Sequence, residues 1–212
     1  MIKFSSAILD NFAPTLSKLS NITLPDLTNY DSQSCFWVQN YLLSTEFRAR
    51  YPDPYHQIAM SYMRRVEASF REYELARTSL ISYVSGEREK VSTYFSSIYH
   101  FEQLVSQSYQ AYMLMRHLLH NETGTKYNEL FKSSDGSGLS RLYKIYNYIK
   151  HCDEKLYLNK FPENASIPIW LTNTCICCQE AELKYEEIIE MLKDLANGAN
   201  RFGDPEKLME TP

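Results

Sequence analysis

Between residues 55 and 85, apolar side chains return at Ala59, Tyr62, Val66, Phe70, Tyr73, Leu80 and Val84. Steps of three, four or their sum place them on one face of a long helix. Ser85-Gly86-Glu87 interrupts the pattern. It resumes from 88 to 120 with Val91, Tyr94, Ile98, Phe101, Val105, Ser108, Tyr112, Met115 and Leu119. The two stretches predict helices of about 30 residues, each about 45 Å long, packed side by side as an antiparallel hairpin. Pro54 and Pro162 bracket this region and no proline lies between them, so the strongest helix breaker is absent from the expected core. Gly86, Gly124, Gly136 and Gly138 each fall where an apolar repeat stops, as helix ends and turns require.

Beyond the hairpin the pattern shortens. A polar loop at Asn121–Gly124 leads to a short helical candidate at 126–132 and then to a second loop, Ser133–Gly138, the most flexible-looking internal segment. A helix is predicted over about 139–158, with Leu142, Ile145, Tyr146, Ile149, Cys152 and Leu156 on one side. Residues 161–177, with Pro162 and Pro168, read as extended chain laid over the core. The last strong helix is predicted over about 179–197, with Leu183, Ile188, Leu192 and Leu195 inward. Residues 35–50 suggest one more helix, and 1–34 give no clear pattern. No segment alternates with period two for long enough to build a sheet. The expected class is all-α: a helical bundle built on a long antiparallel hairpin, with a single domain over 35–200, an N-terminal segment 1–34 of uncertain structure and a tail at 201–212.

Composition narrows the function classes. At 212 residues, 44% hydrophobic, with 17 Tyr and 10 Phe, the chain can bury a substantial core. A formal net charge of −4 provides no global basic field for nucleic acid or anionic membrane. No run approaches the roughly 20 apolar residues of a membrane span, and the N-terminus lacks a signal-peptide pattern. Five cysteines (Cys35, Cys152, Cys175, Cys177 and Cys178) are an odd number in a chain large enough to fold without disulfides. The expected compartment is therefore the reducing cytoplasm, and the sequons beginning at Asn21, Asn121 and Asn164 read as chance matches.

Six glycines leave room for neither a phosphate loop nor a dinucleotide fingerprint. Glu-x-x-His, which a di-iron bundle needs, does not occur. His117 and His120 stand three apart without carboxylates at matching spacing, and Cys175-x-Cys177-Cys178 provides one knuckle where a tetrahedral zinc site generally uses two. The cysteines are expected to be small buried apolar residues, with neither metal nor cofactor.

One helix carries candidate chemistry. In Arg141–His151 the apolar seam passes through Leu142, Ile145 and Ile149, while Lys144, Asn147 and His151 share the opposite face. An imidazole beside an amide and an ammonium suits proton transfer at a phosphodiester, with the cation steadying transition-state charge. The same spacing also describes an ordinary solvated helix face. Local charge leans the same way. Residues 141–160 hold Arg141, Lys144, Lys150, Lys155 and Lys160 against Asp153 and Glu154, whereas 180–194 hold six acidic residues against Lys184 and Lys193. Such a basic strip permits RNA contact without requiring it.

Tyr146-Asn147-x-x-x-His151, late in an all-α chain after a long hairpin, resembles the HEPN superfamily motif of Arg, then commonly Asn, Asp or His, and four to six residues on a His. Asn147 and His151 match, while Tyr146 stands where the family has Arg. Arg141 cannot substitute, being ten residues before His151, about 15 Å along the helix axis. As architecture the resemblance covers roughly residues 55–197. It implies a homodimer of a bacterial defence or toxin–antitoxin system, with a nucleotidyltransferase antitoxin or another defence subunit as partner. Two activities are implied as alternatives: a divergent metal-independent ribonuclease using His151, Asn147 and Lys144, or a degenerate relative that binds RNA or protein without cutting. A different class of reading is a helical interaction module. Tyr143, Tyr146, Tyr148 and Tyr157 on the same helix would supply its surface, or else belong to a Tyr-rich core.

Overall fold

In the computed structural model, the described residues are 19–27, 51, 53–86, 91–126, 134–158 and 168–203. The expected helices at 35–50 and 126–132 lie outside them, as does Cys35. The described chain is mostly helical, with a small antiparallel sheet.

Helix α1 spans Tyr55–Ser85 and starts directly after Pro54, whose carbonyl accepts from the Gln57 and Ile58 N–H groups. Helix α2 spans Val91–Thr123. It ends at Gly124, whose φ of 67° allows its N–H to turn back to the His120 carbonyl at 2.9 Å. The two pack along their length, burying Tyr62, Val66, Phe70, Tyr73 and Leu80 against Tyr94, Ile98, Phe101, Val105 and Tyr112. Polar contacts fix the register within this apolar seam. Ser97 Oγ donates to the Ala76 carbonyl, Ser108 Oγ donates to Ser69 Oγ, and His100 Nδ1 lies 2.8 Å from Glu72 Oε2.

Helix α3 spans Gly138–Lys150 and the short α4 spans Cys152–Tyr157. Ser137 caps α3, accepting from the Ser140 N–H, and itself donates its N–H to Asp135 Oδ1. Leu142 and Ile145 are buried as expected, but the third buried position is Tyr148, with Tyr146 and Ile149 half-buried, where α3 packs on α2. The single helix expected over 139–158 is divided at His151, whose φ and ψ of −108° and 24° close one helix and open the next. The seam does not continue past this break, and Leu156 is exposed rather than inward.

The expectation that no sheet forms is corrected by three very short strands. They are β1 (Trp170–Leu171), β2 (Cys175–Cys177) and β3 (Glu182–Lys184), antiparallel in the order β1-β2-β3, with Ile176 opposite both Leu171 and Leu183. Strands of two or three residues are too short for alternation to register, and β2 is buried along its whole length. Helix α5 accordingly starts at Tyr185 and runs to Gly203, later at both ends than expected. Leu183, Ile188, Leu192 and Leu195 are all buried, Leu183 from the strand and the others from the helix. The expected tail at 201 begins inside this helix, where Phe202 packs edge-on against Tyr62 with ring centroids 5.7 Å apart.

Tyrosine supplies much of the core, and each of several buried hydroxyls finds a partner. Tyr62 donates to the Leu195 carbonyl at 2.7 Å and Tyr112 to Asp194 Oδ2 at 3.0 Å, both securing α5. Tyr94 accepts from the Leu171 N–H, and Tyr185 donates to the Thr172 carbonyl, securing the sheet. Residues 19–27 cross α1 as an extended strap, with Leu19, Leu24 and Leu27 buried and the Pro25 carbonyl accepting from Tyr73.

Where α5 crosses the hairpin, Gly198 faces Tyr62 and Met115. A Cβ there would collide with the Tyr62 hydroxyl and stand 3.1 Å from Met115 Sδ. Gly198→Ala should therefore destabilise the fold by about 1–3 kcal/mol despite the better helix propensity of alanine. Adding Tyr62→Phe should recover part of that loss, so thermal melts of the single and double variants check the contact.

Candidate functional site

The surface around His151 is built by the α3–α4 junction. The hydrogen-bond ladder persists through the break, with the His151 N–H donating to the Asn147 carbonyl and the Lys155 N–H to the His151 carbonyl. Residues 147, 151 and 155 therefore follow one another at helical spacing. Together with Glu154 and Leu158 they line a shallow, open depression of about 350 Å³. Asn147 and His151 are thus brought together as expected. Lys144 is exposed on the preceding turn and does not line the depression.

The cation that does line it is Lys155, which the sequence reading did not select. Its signal was available, because it lies four residues after His151. Lys155 Nζ sits 2.5 Å from Glu180 Oε1 and 3.6 Å from the centroid of the Tyr148 ring, so a carboxylate and a π face both hold it. His151 Nδ1 lies 3.7 Å from Glu154 Oε2, with both side chains half exposed or more, an arrangement that solvent screens heavily.

Arg141 is engaged elsewhere. Its guanidinium grips Glu187 at the start of α5, Nε to Oε2 at 3.2 Å and the NH2 group to Oε1. Burial pushes the Glu187 carboxyl up, but hydrogen bonds from Arg141 and the Lys184 N–H, with the two positive charges, outweigh it and hold the group below the usual glutamate range. Two ion pairs, Arg141–Glu187 and Lys155–Glu180, thus link the basic stretch to the acidic one.

The tyrosines of this region divide. Tyr148 is buried, its hydroxyl donating to Gln179 Oε1. Tyr146, where the family motif has Arg, stacks on Tyr109 of α2 with centroids 4.3 Å apart, and Tyr143 leans on the same ring at 5.6 Å. Tyr157 is 89% exposed, beside exposed Leu156 and Leu158.

The other candidates resolve separately. Cys175, Cys177 and Cys178 are buried free thiols, as expected of small apolar residues. Burial, with Glu182 and the neighbouring cysteines adding to it, pushes the Cys177 thiol up to about 12. Cys152 is raised by burial and by the nearby Glu102, itself a half-buried carboxyl pushed up by desolvation. His120 Nδ1 faces the Thr125 carbonyl. Among the described residues, no group of three or more His, Cys, Asp or Glu side chains is placed to hold a metal ion, and no helix is long and apolar enough to cross a membrane. No family model, curated protein or solved structure matches the chain.

Two outcomes follow from these environments. Because Glu187 is held below its ordinary range, the Arg141 clamp contributes fully above that range and is lost as pH falls through the lowered value. Glu187→Gln should cost about 1 kcal/mol at neutral pH, a figure discounted for partial exposure, and should flatten the loss of melting temperature as pH falls below the ordinary glutamate range. With burial pushing its thiol up to about 12, Cys177 holds far less reactive thiolate at pH 8 than an exposed cysteine. In peptide mapping of iodoacetamide-treated protein, Cys177 should be labelled only after denaturation.

Proposed function

We propose that this chain is a HEPN-like binding protein without ribonuclease activity, which forms a homodimer through the α3–α4 side. The observation that carries this reading is that Arg141 and Lys155, two cations of this region, are both held by carboxylates of the chain itself. Arg141 is clamped to Glu187 and Lys155 to Glu180, while the motif Arg is replaced by Tyr146, stacked on Tyr109. A phosphodiester arriving there would meet an open depression rather than preorganised positive charge. The end of the short helix α4 presents Leu156, Tyr157 and Leu158 to solvent, and aromatic side chains are favoured at the buried centres of interfaces. The defence or toxin–antitoxin setting, with a nucleotidyltransferase or another defence subunit as further partner, follows from the resemblance alone. A location in the cytoplasm is the reading that the odd cysteine count supports.

One observation favours the ribonuclease alternative. Asn147, His151 and Lys155 line one depression, so an imidazole, an amide and an ammonium stand at one surface. In that case His151 would exchange the proton and Lys155 would take the charge-stabilising role first assigned to Lys144.

Light scattering and an RNA assay in EDTA separate the readings. The wild-type protein should be dimeric, Tyr157→Glu should shift it to monomer, and neither the wild type nor His151→Ala should cleave a mixed RNA pool. Cleavage by the wild type that His151→Ala abolishes would replace the binding reading with the enzymatic one. A monomeric wild type would remove the proposed dimer surface.

A further inference from the structure

The strap at residues 19–27 lies away from the residues just discussed and is held in an unusual way. It is extended, with no regular secondary structure. Leu19, Leu24 and Leu27 point into the core, and Ser20, Asn21, Thr23, Pro25 and Asp26 are exposed. Buried or half-buried main-chain groups need partners, and here side chains of the surrounding surface provide them. The Ser20 N–H donates to Asn173 Oδ1 at 3.0 Å and the Leu27 N–H to Glu74 Oε1 at 3.4 Å. The Leu24 carbonyl accepts from Arg77 Nε at 3.0 Å and the Pro25 carbonyl from Tyr73 Oη at 2.8 Å. Among the described residues, no backbone–backbone hydrogen bond joins the strap to a helix or to the sheet.

These are the contacts of a bound peptide. Side chains that read main-chain N–H and C=O groups are indifferent to the sequence they hold, while pockets for alternate apolar side chains supply selectivity. A strand woven into the sheet could not leave without breaking backbone pairing, whereas this segment can leave α1 and the sheet hydrogen-bonded as they are. Charge adds a further element, because Arg77 NH2 lies 3.7 Å from Asp26 Oδ2 while NH1 lies 3.6 Å from Glu74.

We infer that residues 19–27 are an intramolecular ligand in a peptide-recognition groove formed by α1 and the β1–β2 turn, and that the vacated groove takes an extended segment of a partner protein. The chemistry that fits is three aliphatic anchors at positions 1, 6 and 9 of the segment, with a carboxylate at position 8 opposite Arg77. In the resting chain the strap covers the groove and lowers its apparent affinity by the fraction of molecules in which it is open. The inference uses none of the α3–α4 residues and stands apart from the proposed dimer.

The test uses the full chain and a fluorescent peptide of residues 19–27, capped at both ends, read by anisotropy. In the variant Leu19→Ser/Leu24→Ser/Leu27→Ser the strap should leave its groove, and the peptide should bind roughly tenfold or more tighter than to wild type. Adding Tyr73→Phe and Arg77→Gln to that variant should weaken binding, and a scrambled peptide of the same composition should not bind. The milder Leu24→Ser is read in the same assay if the triple variant does not fold. A folded variant that fails to bind the peptide, or binds the scrambled one equally, overturns the inference. So does binding unaffected by the Tyr73 and Arg77 changes. Loss of helical circular dichroism in both strap variants would show the strap to be inseparable from the core, which overturns it as well.

Discussion

A core made largely of tyrosine places one constraint on everything docked around it, since every buried hydroxyl must find a partner. Leaving such a group unbonded costs on the order of 1–3 kcal/mol, a large part of the 5–15 kcal/mol by which a domain is stable. The hairpin of α1 and α2 carries Tyr62, Tyr73, Tyr94 and Tyr112, and the partners of their hydroxyls belong to α5, the strap and β1. Hydrophobic burial brings these elements onto the hairpin without choosing their position along it. The hydroxyls choose it, because a shift of α5 by one residue would take the Leu195 carbonyl away from Tyr62.

The same logic places the candidate site. With α5 fixed on the hairpin, Glu187 and Glu180 stand beside α3 and α4, where they capture Arg141 and Lys155. Two of the positive charges that the sequence places along residues 141–160 are therefore paired in space. What faces solvent around His151 is an open depression lined by Asn147, His151, Glu154, Lys155 and Leu158, with exposed Leu156 and Tyr157 on the same short helix.

The strap and the sheet are joined at the β1–β2 turn. Asn173 holds the strap through Ser20, and the Thr172 carbonyl accepts from Tyr185 at the head of α5. Thr172 also accepts, through its Oγ1, from the Thr174 and Cys175 N–H groups. A short, well-bonded turn thus touches both a core helix and the segment that crosses α1.

Sequence alone determined the two long helices, because their apolar residues recur over about eight turns each and hairpin packing needs only matching stripes. It also determined the inward positions Leu142 and Ile145 of α3 and the buried state of Cys175, Cys177 and Cys178. The pairing of Asn147 and His151 on one surface was legible too, because four residues of helix bring them together wherever that helix packs. The small sheet was not legible, because its strands are shorter than the period that reveals a strand. Neither was the break at His151, which turns Leu156 outward, nor the choice of Lys155 over Lys144, since both lysines lie within two turns of His151 and spacing cannot rank them. The pairing of Arg141 and Lys155 with Glu187 and Glu180 joins residues 25 to 46 positions apart. Only the tertiary structure decided it, because Coulomb attraction depends on distance in space and the sequence carries only distance along the chain.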